Sequence, residues 1–304
     1  MTHRSTALRR TTRTAVALTA SGSFLFAGTA AAGAAGSLDL PALGSIGAGS
    51  SAPAVAETPR LATIDNFRDV AGPGYETTQG LRMRPGVFYR SNAVVPGDDD
   101  LAALETLGLS AIYDVRTDEE VAGKPDRLPA GASYVRVPIL SGDLAGAAFA
   151  LQSPDEGREF MREMNRSFVN DPAARAGFAT LLTGLADTTG PQLFHCTAGK
   201  DRTGWAAALL QTIAGVPRDT VMADYLLTNE YTAASMETTL QGLATRYGQE
   251  RADIFAPMIG VDASYLQASF DEVETEYGTI DNYLRDGLGL SDLTLAKLKL
   301  ALVL

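Results

Sequence analysis

The ten residues His195 to Gly204, HCTAGKDRTG, constrain this chain more than any other stretch. An apolar run, Gln192-Leu193-Phe194, leads in, and a helix-forming run, Trp205-Ala206-Ala207-Ala208-Leu209-Leu210, leads out. Strand, polar loop and helix in that order make a cup of backbone N–H groups at a helix N-terminus, which suits a phosphate dianion. Gly199 and Gly204 let the backbone turn tightly and approach a ligand.

The same loop holds the chain's single cysteine, Cys196, and one of its two histidines, His195. Only a thiolate attacks phosphorus well, and N–H donors, a helix N-terminus and a guanidinium are surroundings that favour one. Cys196 is therefore the candidate nucleophile. Arg202 can hold two phosphoryl oxygens bidentately, which a lysine cannot match. The backbone of Thr197, Ala198, Gly199, Lys200, Asp201 and Arg202 is the candidate substrate cradle. The Thr203 hydroxyl, next to the nucleophile, can donate to the thiolate and help it leave. Lys200 either adds positive potential or contacts a second phosphate.

His195 is no base for its neighbour, because adjacent strand residues face opposite ways. Its expected role is structural support, ordering the loop through hydrogen bonds to backbone groups. The other histidine, His3, lies in the N-terminal segment described below, so a Cys-His dyad and a histidine-rich metal site lack their partners. No metal and no cofactor are expected.

Two aspartates compete as the proton carrier. Asp201 lies in the loop. Asp114 lies towards the C-terminal end of the strand candidate 111–116, where parallel sheets collect their ligands; its other reading is an ion pair with Arg116 or another strand-end cation. Arg68 and Arg90 either extend a basic pocket or form structural ion pairs.

The rest of the chain frames this unit. Arg4, Arg9, Arg10 and Arg13 precede an apolar run from about residue 15 to 32 and a cluster of small residues, the pattern of a secretory signal over 1–36. Arg9-Arg10 raises a twin-arginine route, although Thr11-Thr12-Arg13 fits that signature poorly. Residues 37–59 read as a Gly/Ala/Ser/Pro linker, and 60–304 as one catalytic domain. The net charge is −11, and without residues 1–36, which carry four arginines and no acid, it is −15. So acidic a chain is not expected to bind nucleic acid or anionic lipid over a broad face, and no stable membrane insertion is expected after signal cleavage.

Strands are expected at 86–91, 111–116, 134–139 and 192–195. Helices are expected at 98–107, 156–169, 172–186, 205–214, 218–228, 232–247, 262–277 and 291–302. This alternation, ending in a helical tail, predicts an α/β fold: a central, mainly parallel sheet flanked by helices, with a helical C-terminal part. Residues 142–157 show no period and read as a mobile loop. Residues 255–266 are a candidate lid whose other reading is core.

The string HCTAGKDR resembles the signature loop of cysteine-based protein tyrosine phosphatases, in the bacterial subgroup whose loop reads HCxAGKDR. Asn66-Phe67-Arg68-Asp69, Tyr89-Arg90-Ser91, Asp114-Val115-Arg116 and Asp224-Tyr225-Leu226-Leu227 agree with it, so the resemblance spans about residues 60–285. It implies the cysteine-phosphatase fold and hydrolysis through a phosphocysteine intermediate. It also implies phosphorylated proteins, phospholipids or small phosphate esters as substrates. The Trp-Pro-Asp loop that supplies the acid in many tyrosine phosphatases is missing, since the single tryptophan, Trp205, lies in the loop's helix. The rival readings are a catalytically weak phospho-ligand binding module and a sulfur-transfer or arsenate-reducing enzyme. Reduction usually recruits further cysteines, and the chain has none.

Overall fold

The computed structural model describes residues 58–140 and 144–304. The expected signal segment and all but the last two residues of the expected linker lie outside the described residues.

Five short strands form one sheet in the order β1-β2-β5-β3-β4. β2 (Phe88–Ser91), β3 (Ala111–Asp114) and β5 (Gln192–His195) are buried at every position, as strands covered on both faces must be. β4 (Ser133–Arg136) is a partly exposed edge. β1 (Arg68–Asp69), at the other edge, pairs antiparallel with β2, and all other pairings are parallel.

β5 is central, with His195 in register with Ser91 on one side and Asp114 on the other. The three strands therefore end together, and the polar loop leaves from the middle of that edge. Successive β5 residues serve opposite faces. Leu193 joins a small core with Ile64, Phe67, Leu104 and Ile112 beneath α1 (Asp98–Thr106). Phe194 joins the large core on the opposite face.

After β3 come α2 (Asp118–Gly123), then α3 (Leu144–Phe149), α4 (Pro154–Asn170) and α5 (Pro172–Asp187). α6 (Arg202–Ala214) is buried along nearly its whole length, as its mostly apolar sequence requires. α7 (Arg218–Tyr231), α8 (Ala233–Tyr247), α9 (Gln249–Ile259) and α10 (Ala263–Tyr277) follow. α11 (Ile280–Asn282) runs into a π turn, Tyr283–Gly287, before α12 (Asp292–Leu302).

Three helices of six or more residues, and the three-residue α11, depart from the sequence expectation. α2 is too short for a period, and its Thr117/Glu120 capping box starts it. α3 occupies part of the stretch expected to be a loop. Ala148 there packs in a small apolar cluster with Leu243, Ala252 and Phe255, and the Arg251 guanidinium bonds the carbonyls of Phe149 and Leu151. α9 contains Pro257, which disguises a helix that leans on α4. Gly157 permits that approach, since a Cβ there would lie 2.9 Å from the Ile254 carbonyl oxygen. The candidate lid, 255–266, is thus the end of α9, a corner and the start of α10.

Candidate active site

β5 delivers Cys196 and α6 delivers Arg202 to the two ends of one loop. The helix begins at Arg202, three residues before its expected start, so the guanidinium sits in its first turn. Asp201 is the N-cap but makes no side-chain cap bond. Among the described residues, no backbone N–H from Thr197 to Thr203 donates to a protein acceptor. These N–H groups are left for a ligand, as a phosphate cup requires; Cys196 is 3% exposed, while Thr197 and Ala198 are exposed. Gly199 has φ +69°, and a Cβ there would lie 2.4 Å from the Ser91 carbonyl oxygen. Only glycine closes the loop at that point.

The back of the loop rests on a polar platform. The Gly199 carbonyl accepts from Asn66 Nδ2 at 2.7 Å and from Arg90 Nη2 at 2.8 Å. Arg68 donates to the Asp224 carboxylate at 3.2 Å and to the Asp224 backbone carbonyl at 3.0 Å. Arg90 reaches the other Asp224 oxygen at 3.5 Å. Burial, with the charge of Arg68 beside it, pulls Arg90 down to about 9. Burial pushes Asp224 the other way, but Arg68 and Arg90 outweigh it and hold the carboxyl below its usual range. Arg68 and Arg90 thus form buried ion pairs beneath the cup. The sequence pieces Asn66–Asp69, Tyr89–Ser91 and Asp224–Leu227 converge on this one platform.

Arg202 is aimed by a residue that motif reading passes over. Its Nη1 and Nη2 donate to the two Glu120 carboxylate oxygens at 2.7 and 2.6 Å. Nη1 also faces the carbonyls of Val115 and Ile139 at 3.4 Å each. That leaves the edge formed by Nε and Nη2 for two oxygens of a ligand. Glu120 further accepts from Thr197 Oγ1 at 2.5 Å and from the Thr117 N–H at 2.8 Å. Burial would raise Glu120, but the bond from Arg202 outweighs it and holds the carboxyl at about 2. Burial likewise opposes the charge on Arg202, and Glu120 more than offsets that. The one sequence signal for Glu120 is its capping box with Thr117.

Asp114 is fully buried with both oxygens occupied. Oδ1 accepts from the Arg116 backbone N–H and Nε, each at 2.9 Å. Oδ2 accepts from Arg116 Nη2 at 2.9 Å and Tyr134 Oη at 2.6 Å. Burial would raise this carboxyl, but Arg116 first, then His195 and Tyr134, bring it to about 2.

Among the described residues the His195 ring makes no hydrogen bond to backbone, contrary to expectation. The sheet buries the imidazole completely, and Nε2 faces Asp126 Oδ2 at 3.4 Å. Asp114, Asp126 and His195 bring possible ligand atoms within 4.8 Å of one another. Arg116 already holds both carboxylates, at 2.9 and 2.6 Å, so a metal cation would have to displace a guanidinium.

Asp201 differs from Asp114. Its Oδ2 pairs with Lys200 Nζ at 2.9 Å, while buried Oδ1 finds no hydrogen-bond partner among the described residues. Lys200 turns back into the protein, its Nζ 3.3 Å from the Gly260 carbonyl. The buried hydroxyl of Thr203 is also without a hydrogen-bond partner.

A cysteine and an arginine on one N–H-lined loop, at the head of a helix and the centre of a mainly parallel sheet, define a phosphatase of the protein tyrosine phosphatase kind. Residues 59–304 match the model of the tyrosine phosphatase family, and the chain belongs to that family. A Cupriavidus necator protein carrying a provisional tyrosine-protein phosphatase name is 37% identical over 232 residues, 74% of this chain and 82% of that protein. The triple specificity protein phosphatase PtpB of Mycobacterium tuberculosis is 29% identical over 269 residues, 77% of this chain and 95% of its own length. A tyrosine-protein phosphatase of Nostoc commune is 30% identical over 221 residues, 67% of this chain and 70% of that protein.

Proposed function

We propose that this phosphatase hydrolyses phosphate monoesters through a phosphocysteine intermediate, with phosphotyrosine as its main substrate class. Phosphoserine, phosphothreonine and phosphoinositides extend that class, and the triple specificity named for the M. tuberculosis relative is in keeping with this breadth. Cys196 Sγ attacks phosphorus, and the ester oxygen leaves with a proton from Asp201. The loop N–H groups and the free edge of Arg202 hold the equatorial oxygens. Water then attacks the phosphocysteine, Asp201 takes its proton, and Thr203 donates to the departing thiolate. The observation that carries this reading is the end-on clamp of Glu120 on Arg202, at 2.6 and 2.7 Å, which leaves the phosphate-binding edge of the guanidinium open.

We choose Asp201 over Asp114 because one of its oxygens has no hydrogen-bond partner among the described residues, whereas both oxygens of Asp114 are bonded. We also propose export, from the basic and apolar pattern of residues 1–36. The test is a panel of aryl phosphate, phosphopeptides and phosphoinositides with wild type and Cys196→Ser. Wild type turns the panel over without added metal; Cys196→Ser binds a phosphopeptide and turns none over. Binding without turnover in the wild type would favour a phospho-ligand module instead.

A further inference from the structure

A buried ammonium needs acceptors, and Lys200 has two, Asp201 Oδ2 at 2.9 Å and the Gly260 carbonyl at 3.3 Å. Its four-carbon stem has no preferred aim of its own, so the acceptors decide where the charge stands. Gly260 caps α9, and Val261 joins it to Asp262, the N-cap of α10, so the Gly260 carbonyl and the Val261 N–H and carbonyl lie outside both helical ladders. Something else must fix that carbonyl.

Asn229, on α7, does so. Its Nδ2 donates to the Val261 carbonyl at 2.8 Å, and its Oδ1 accepts from the Val261 N–H at 2.9 Å. One side-chain amide thereby reads both polar groups of a single residue, which fixes the orientation of the adjoining peptide. A Cβ on Gly260 would lie 2.9 Å from that same Asn229 Oδ1 and 2.8 Å from Met236 Cε. The Met236 tip can swing away, but the Asn229 oxygen is committed to Val261.

We propose that Asn229 is a positioning residue for the proton-transfer step, acting through the Val261–Gly260 backbone on Lys200 and through Lys200 on Asp201. This rests on the reading of Asp201 as the proton carrier. When the corner is released, Lys200 loses one of its two acceptors, and the ammonium that holds Asp201 Oδ2 at 2.9 Å is no longer fixed. Cys196, Arg202 and Glu120 are untouched, because none of them bonds to the corner. The defect is therefore confined to substrates whose leaving oxygen needs a proton.

The test is kcat/KM across aryl phosphates from strongly activated (dinitrophenyl) to unactivated (phenyl), for wild type, Asn229→Ala, Gly260→Ala and Asp201→Asn. Asn229→Ala and Gly260→Ala are expected to stay within about twofold of wild type on the dinitrophenyl ester and to lose about tenfold on phenyl phosphate. That is part of the ~100-fold or more a general acid supplies. Asp201→Asn sets the full slope. Equal losses on all esters, or none, in both corner variants while Asp201→Asn steepens the series would overturn the proposal. A flat series for Asp201→Asn would instead overturn the assignment of Asp201 on which it rests. Two variants reach the corner from opposite sides, so misfolding of one does not remove the test.

Discussion

Asp114 and Asp201 stand on the same edge of the sheet, and their surroundings separate scaffold from chemistry. Asp114 uses both oxygens on Arg116 and Tyr134 and is held ionised down to about 2. A proton can reach it only if several buried bonds break. Asp201 has one oxygen on Lys200 and one with no hydrogen-bond partner among the described residues. A carboxylate with both oxygens engaged serves the scaffold, whereas one with an oxygen left over keeps an acceptor for a proton, which is the basis of the role proposed for Asp201.

The contrast can be broken first at Asp114. Asp114→Asn leaves Arg116 facing a neutral amide in a buried site, where breaking a pair typically costs about 3–5 kcal/mol. Urea unfolding at neutral pH reads this loss, while kcat of the folded fraction stays close to wild type. A stable variant with lost turnover would exchange the roles of the two aspartates. Asp201→Asn sharpens the contrast from the other side. About 100-fold lower kcat on phenyl phosphate is expected, equivalent to ~2.7 kcal/mol of barrier, with little change in urea midpoint. A change in stability with kcat preserved would make Asp201 scaffold.

Glu120 lies between these extremes, half-buried and bonded to Arg202. Glu120→Gln keeps one acceptor for Arg202 but loses the charge, and about tenfold lower kcat/KM is expected on every ester, activated or not. A loss confined to poor leaving groups would tie Glu120 to proton transfer instead.

The smallest effect is in pH. Glu120 and Asp114 both have folded-state values depressed to about 2. Their stabilisation is therefore complete above the ordinary carboxylate range near 4 and is lost as pH falls from there towards 2. The urea midpoint should fall across that window, and less steeply in Glu120→Gln. A midpoint that is flat or rises on acidification would contradict the assigned ion pairs.

These contrasts also mark what sequence reading could reach. β5 stands at its expected bounds, Gln192–His195, and α4 to α8 differ from expectation by at most three residues at either end. Their apolar periods and caps are local. α2 and α3 have six residues each, too few for a period, and Pro257 hides α9. Cys196 and Arg202 were legible because one loop carries both. Glu120 was not, because its partner lies 82 residues further along the chain. Asn66, Arg68, Arg90 and Asp224 were visible as separate pieces. That two of them bond one carbonyl, of Gly199, while Asp224 pairs the two arginines, is a property of the packed sheet.

The central claim is a covalent bond between Cys196 and phosphorus, and it can be read directly. Wild type and Asp201→Asn are mixed with excess aryl phosphate, acid-quenched within the first turnover and examined by peptide mass spectrometry. The account predicts one added phosphoryl group on the peptide that contains Cys196, and none in Cys196→Ser. Steady turnover by the wild type with no phosphoryl group on Cys196 at any quench time, or continued turnover by Cys196→Ser, would contradict it.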